Sequence, residues 1–202
     1  GRTEKGASAA ASHTGSLAGT DKIYDVAFRQ SGALRALDLA QAFDWVKLMT
    51  MQPCPLNDNC LIITNGGGVG VMTTDACEEA GVNIMPLPED LQSEFKKLMP
   101  VFGNFRNPVD LTGQAYEESY YRSLELALRD NRVGSVIVLY CQTAITDPVA
   151  IAKAIADACE VQKCNKTVVT SFVGGAQCDE AMRKLDELSI PSYPIPERAV
   201  SA

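Results

Sequence analysis

The stretch that decides the fold is Cys60-Leu61-Ile62-Ile63-Thr64-Asn65-Gly66-Gly67-Gly68-Val69-Gly70-Val71. Cys60 to Thr64 is a short apolar, β-branched run and predicts a buried strand. Gly66 to Gly68 let the backbone turn sharply and approach a ligand with no Cβ in the way. Val69 to Ala80 predicts a helix that Gly81 closes at C′. A glycine turn from strand into helix aims free N–H groups and the positive end of the helix dipole at one point, which suits an anion, most often phosphate. No Lys-Ser/Thr follows the glycines, so this is not a P-loop, and Val71 stands where a dinucleotide fingerprint needs its third small residue. A tight turn with no ligand fits the glycines alone equally well.

Outward from this turn, strand and helix alternate. Val82–Met85 reads as a strand, and Pro88 opens a helix with Leu91, Phe95 and Leu98 in line. Val109–Leu111 reads as a strand before a helix over Glu117–Arg129. Ser135–Tyr140 is apolar throughout, as a central parallel strand is. Asp147-Pro148 is an N-cap followed by a first-turn proline, with Ile151, Ile155 and Cys159 on the buried stripe behind it. Lys166–Phe172 is the next strand, Gly174-Gly175 its turn, and Met182, Leu185 and Leu188 the core face of the following helix. This alternation specifies an α/β fold, a flavodoxin-like or Rossmann-like parallel sheet with helices on both faces. Ligands of such sheets gather at the carboxyl ends of the strands, here at 65–68, 111–113, 141–143 and 172–175.

Upstream the pattern differs. Residues 1–19 are small and polar with no hydrophobic period, and read as a glycine-rich loop. Asp21–Gln30 reads as a helix with Thr20 as N-cap and Gly32 as its end, and Leu34–Leu37 as a short strand. Asp38 caps a second helix with Leu39, Phe43, Val46 and Leu48 or Met49 on its apolar side. The proline- and asparagine-rich link Pro53–Asn59 is the best boundary, dividing the chain into 1–52 and 53–202.

The bulk numbers exclude several classes. The 202 residues carry a net charge of −7, which argues against nucleic acid or an anionic membrane surface as partner. No apolar run approaches the ~20 residues that span a bilayer, and Gly1–Lys5 does not begin a signal peptide. The seven cysteines are scattered without CxxC spacing, and His13 is the single histidine, so reduced thiols in a cytoplasmic protein are expected, with no metal site.

Two segments together closely resemble the NDP-forming acyl-CoA synthetases, relatives of succinyl-CoA synthetase. The first is Gly1-Arg2-Thr3-x-x-Gly6-Ala7-x-Ala9-Ala10-Ala11-Ser12-His13-Thr14-Gly15-Ser16-Leu17-Ala18-Gly19-Thr20-Asp21; the second is Thr64-Asn65-Gly66-Gly67-Gly68-x-Gly70-Val71-x-x-x-Asp75-Ala76, followed by Asn107–Gly113. The ending Ile190–Val200 also looks like the end of that family's flavodoxin-like domain. The resemblance implies that phosphate cleaves an acyl-CoA to an acyl phosphate, and that a histidine then carries the phosphoryl group to ADP or GDP. His13 matches that histidine; a neutral imidazole is a competent nucleophile and a good leaving group. The carboxylate that orients the histidine in this family is expected upstream of Gly1. The resemblance further implies that Gly15, Asn65, Gly66, Gly67 and Gly68 bind phosphate, the glycine amides solvating the phosphoryl oxygens, and that Asn107 and Asp110 line the phosphate or acyl site. Gly15 and Gly19 would keep the histidine loop flexible. No cofactor is expected to bind tightly; CoA, ADP/ATP (or GDP/GTP) and Mg2+ would be substrates held mainly by a CoA-binding domain and an ATP-grasp module outside this chain. Residues 1–52 would then be the tail of one ligase domain and 53–202 a complete second one, in an oligomer, and the chain alone would not turn over. A second reading remains open, in which the chain is a non-catalytic acyl-CoA- or nucleotide-sensing region of a protein acetyltransferase. Retention of His13 and the glycine turn favours the enzyme. A flavodoxin or a receiver-type signalling domain is the third reading; Ile62-Ile63-Thr64-Asn65 lacks the acidic cluster of a receiver, and the glycine turn is not the Ser/Thr-rich phosphate loop of a flavodoxin.

Overall fold

The computed structural model describes residues 1–14, 19–162 and 165–202, so Gly15 and Cys164 lie outside the described residues. By its contacts the chain divides into two compact units, Gly1–Ala42 and Phe43–Ala202.

The first unit is helical. Helix α1 (Glu4–Thr14) occupies the segment expected to be a loop. Ala7, Ala9, Ala10 and Ala11 form helix without a hydrophobic period, because alanine has the highest intrinsic propensity, and Thr3 Oγ1 accepts the Gly6 amide at 3.1 Å in the first turn. Helix α2 (Asp21–Ser31) ends at Gly32 with φ 71°, as expected, although Thr20 makes no side-chain cap. Residues 34–37 are not a strand. They have no partner strand, and Arg35 instead pairs with Asp21 and Asp25.

Helix α3 (Leu39–Met51) begins at Asp38, whose Oδ1 accepts the Gln41 amide at 2.8 Å. Its expected apolar side is only partly covered: Leu39, Phe43, Val46 and Met49 are exposed, Leu48 packs half-buried on the core, and the fully buried residue is Asp44. The Asp44 carboxylate takes two hydrogen bonds from Arg198, at 2.6 and 2.7 Å, and Lys47 reaches Asp186 at 2.7 Å.

The rest is the alternation read from the sequence: β1 (Asn59–Thr64), α4 (Gly67–Ala80), β2 (Asn83–Ile84), α5 (Glu89–Leu98), β3 (Val109–Asp110), α6 (Glu117–Arg129), β4 (Ser135–Cys141), α7 (Pro148–Val161), β5 (Thr167–Val173) and α8 (Ala176–Glu187). Strand β6 (Ser192–Tyr193) and helix α9 (Pro196–Ser201) complete it. The strands are parallel in the order β2-β1-β4-β5-β6, with β3 also on β1. Leu61, Val136, Val138 and Phe172 pack on one face with residues of α5 to α8, among them Phe95, Leu124, Ile155 and Leu185. Ile62, Ile137, Leu139 and Val169 pack on the other with Cys77 of α4 and Ala199 of α9. Leu188, expected in the core, follows the last residue of α8 and is exposed. The chain builds outward from β1 to β2 and β3, then crosses to β4 on the other side, so the topological switch lies between β1 and β4, where a doubly wound sheet opens its ligand crevice.

Candidate functional site

The glycine turn sits at that switch. Thr64, the last residue of β1, folds its hydroxyl back over the turn: Oγ1 accepts the Gly66 amide at 3.0 Å and donates to the Gly66 carbonyl at 3.1 Å. The Gly66 N–H is therefore taken, contrary to expectation, and does not face an anion. The amides of Gly67, Gly68 and Val69 open α4, have no acceptor within the helix and make no hydrogen bond among the described residues. Val69 replaces Gly66 in the set of free donors. Thr64 was legible as a serine/threonine-turn residue ahead of the glycines; Val69 is found only by counting from the true helix start.

Asn65 is buried, and its amide is committed to β4: Nδ2 donates to the Cys141 carbonyl at 2.9 Å, and Oδ1 accepts the Cys141 amide at 2.7 Å. It positions the turn and keeps one Nδ2 hydrogen beyond these two bonds. The turn packs closely on its neighbours. A Cβ on Gly66 would lie 2.8 Å from Cys141 Sγ, and one on Gly67 would lie 3.0 Å from Asp110 Oδ2, whereas Gly68 faces open space. Gly66 and Gly67 are thus explained by packing, and Gly68 by access.

Asp110 lies beside the turn. Its backbone is bridged to Asn104 by hydrogen bonds of 2.8 and 3.1 Å, and its Oδ1 accepts the Thr112 amide at 2.9 Å. Thr112 was missed by sequence reading. It adopts φ 70°, which a β-branched residue rarely does, and its buried hydroxyl oxygen has no hydrogen-bond partner.

Asn107 does not join the cluster. Its side chain accepts the Ile62 amide at 2.9 Å and donates to the Cys60 and Met85 carbonyls at 2.8 and 3.0 Å. It fills the gap on the edge of β1 between two short strands, β2 and β3, where backbone partners run out.

Cys141 is half-buried beside the turn. Burial first, and then the charge of Asp110, push its pKa up, so it is a poor nucleophile near neutral pH. Burial pushes Cys178, on the far side of β4, up to about 11. Gly174 also has a packing reason: a Cβ there would meet Cys178 Sγ and Gln142 Oε1 at 2.5 Å. Gln142 Oε1 accepts the Gly175 amide at 2.8 Å and fixes the start of α8.

His13 lies in the last turn of α1 and is exposed. It stands in a helix, not in a flexible loop; Gly15, expected to bind phosphate, lies outside the described residues. The larger clefts, of about 590 Å³ beside Gln52 and Leu188 and about 410 Å³ beside Lys153 and Leu185, do not include the turn. No cluster of metal ligands occurs, and no helix is long and apolar enough to cross a membrane, among the described residues.

Residues 60–202 match the model of the Ligase-CoA domain, and residues 1–49 that of the succinyl-CoA ligase like flavodoxin domain. The chain is 49% identical, over all of its length and 44% of the relative's, to the alpha subunit of acetate–CoA ligase (ADP-forming) I of Pyrococcus furiosus. It is 32% identical, over 99% of its length and 28% of the relative's, to 4-hydroxybutyrate–CoA ligase (ADP-forming) of Nitrosopumilus maritimus. Its structure superposes with a TM-score of 0.95 and 46% identity on the dinucleotide forming acetyl-coenzyme A synthetase 1 of Ca. Korarchaeum cryptofilum in complex with phosphate and ADP, covering all of this chain and 44% of that one. The chain therefore spans less than half the length of these relatives.

Proposed function

The chain belongs to the Ligase-CoA domain family, and from that premise we propose that it is the phosphate-handling part of an NDP-forming acyl-CoA synthetase. The observation that carries the reading is the trio of unclaimed amides of Gly67, Gly68 and Val69 at the switch point of the sheet. In the reaction, an oxygen of inorganic phosphate attacks the thioester carbonyl; a C–O bond forms, the C–S bond breaks, and CoA leaves as the thiol, taking up a proton. A nitrogen of the His13 imidazole then attacks phosphorus, the P–O bond to the acyl group breaks, and the carboxylate leaves. Finally an oxygen of the nucleoside diphosphate attacks the phosphohistidine and releases the imidazole. The helix start stabilises the oxyanion that is being passed on.

CoA, ADP/ATP (or GDP/GTP) and Mg2+ are substrates in this reading, bound mainly by a CoA-binding domain and an ATP-grasp module of the same enzyme. The acyl group is a small carboxylate, a class supported by the acetate and 4-hydroxybutyrate named for the relatives. Partner domains suit the exposed apolar side chains: Ile23, Tyr24 and Val26 in the first unit, and Phe43, Val46 and Met49 in the second. The enzyme is a cytoplasmic oligomer, and this chain alone does not turn over.

The test is brief exposure of the full-length protein to Mg-ATP, followed by phosphopeptide mapping under alkaline conditions. An acid-labile phosphoryl group on the peptide containing His13 is the expected result. A His13→Ala protein that still made ATP from acyl-CoA at the normal rate would refute the assignment.

A further inference from the structure

Asn65-Gly66 is the one Asn-Gly step in the chain, and such a step carries its own reagent. Glycine puts no side chain beside its nitrogen, so that nitrogen can attack the preceding asparagine Cγ and close a five-membered ring. Neither residue is free to change here. Asn65 bridges both backbone groups of Cys141, and a Cβ on Gly66 would lie 2.8 Å from Cys141 Sγ. The turn therefore keeps a reactive pair, and the fold holds it still. Asn65 is 3% exposed, and its side-chain amide is bonded at both ends to β4, at 2.9 and 2.7 Å. Ring closure makes Cγ tetrahedral, so the planar amide cannot keep both bonds. The Gly66 N–H donates to the Thr64 hydroxyl at 3.0 Å, and that hydroxyl donates back to the Gly66 carbonyl at 3.1 Å. The proton that must leave the nitrogen is thereby covered from solvent base.

We propose that Asn65-Gly66 is a latent deamidation site, locked by the Thr64 hydroxyl and the Cys141 backbone, whose reaction follows local opening of the turn. On opening, the Gly66 nitrogen loses its proton to hydroxide and attacks Asn65 Cγ. A C–N bond forms, the Cγ–Nδ2 bond breaks, and the amide group takes up a proton and leaves as ammonia. Water then opens the succinimide at one of its two carbonyls. One product is aspartate at position 65; the other is isoaspartate, in which the main chain runs through the former side chain and is longer by one methylene. Neither product re-forms the lock. A carboxylate has no hydrogen to give the Cys141 carbonyl, and the longer chain of isoaspartate shifts the turn against β4. Each opening is a chance of irreversible loss, so the working life of the domain is set by how seldom the turn opens. The lock acts whatever the turn binds.

The experiment is peptide mapping of the full-length protein aged at mildly alkaline pH in water carrying heavy oxygen, which labels the carboxylates made during ageing. Native protein is compared with the same protein unfolded in urea. Asn65 should convert about a hundredfold more slowly in the native protein, the combined effect of the three hydrogen bonds that must open first. Thr64→Val keeps the shape and loses the hydroxyl, and should raise the native rate roughly tenfold. Thr64→Ser keeps the oxygen and should stay within about twofold of wild type. Arg198→Met weakens the fold elsewhere, at the ion pair with Asp44, and should also leave the rate within about twofold. Equal rates in native and unfolded wild type would overturn the lock, and that comparison needs no variant to fold. A Thr64→Val protein that is folded by circular dichroism and converts at the wild-type rate would overturn the role of the hydroxyl. An Arg198→Met rate raised as much as that of Thr64→Val would show that global unfolding exposes the pair, and would overturn local opening of the turn.

Discussion

Asn65 and Cys141 are joined by a two-way bridge: the side-chain amide of the first meets both backbone polar groups of the second, at 2.9 and 2.7 Å. The bridge spans the switch point, tying the turn after β1 to the last residue of β4. It sets the height at which α4 begins, and hence where its free amides point.

Asn65→Asp should therefore be more harmful than Asn65→Ala. Alanine leaves two backbone groups of Cys141 without partners, at a cost of about 2 kcal/mol. Aspartate keeps one acceptor but turns a negative oxygen toward the Cys141 carbonyl in a buried place, which adds repulsion to the lost bond. Denaturant titration of the three proteins checks the order. An Asn65→Asp protein as stable as wild type would mean that the amide is not holding the turn.

Gly66 and Gly68 look alike in the sequence but should respond differently to alanine. At Gly66 a Cβ would sit 2.8 Å from Cys141 Sγ, so Gly66→Ala should cost about 1–3 kcal/mol, as overpacking does. Cys141→Ala removes that sulfur, leaving Cys141 Cβ at 3.3 Å as the nearest atom, and should recover part of the loss. A double-mutant cycle measures the coupling. Gly68→Ala should leave stability within about 0.5 kcal/mol of wild type, because no atom lies within 4 Å of its Cβ.

What could be read from residues alone follows the same division. The run Cys60–Thr64 and the helix Glu117–Arg129 are carried by strong local patterns, one uniformly apolar and the other periodic, and both appear in place. The alanine-rich α1 has no amphipathic period, so propensity alone had to reveal it. The exposed apolar residues of α3 mislead because periodicity reports an apolar stripe without saying what covers it. The commitments of Asn65 and Asn107 are invisible for another reason: their partners Cys141 and Ile62 lie 76 and 45 residues away in sequence, on strands that only the folded chain brings near.

The ion pair of Asp44 with Arg198 ties α3 to the last helix. Asp44 is 5% exposed, so removing its partner leaves a buried charge uncompensated. Arg198→Met should destabilise the protein by about 2 kcal/mol, less than a fully buried pair because the arginine is partly in water. Asp44→Asn with Arg198→Met should recover much of that. Thermal unfolding of the single and double variants decides it; additive losses would show that the two residues act independently.

Cys141 gives the site a chemical reporter. A thiol reacts as its thiolate, and both burial and the Asp110 charge disfavour that form, so its alkylation by iodoacetamide should be slow near neutral pH and rise only in more alkaline solution than for an ordinary cysteine. The exposed Cys54 should be modified before Cys141. Because Asp110 raises the thiol's pKa, Asp110→Asn removes a negative neighbour and must lower it, moving the rate-against-pH curve of Cys141 toward neutral pH. Burial is the larger cause and remains, so the curve should stay above that of a free thiol. Phosphate bound at the glycine turn would put negative charge near the same sulfur and move the curve the opposite way. Mass-spectrometric mapping of alkylation across a pH series, with and without phosphate, reads both shifts on one peptide. A Cys141 profile unmoved by Asp110→Asn would show that the carboxylate does not sit against this side of the turn.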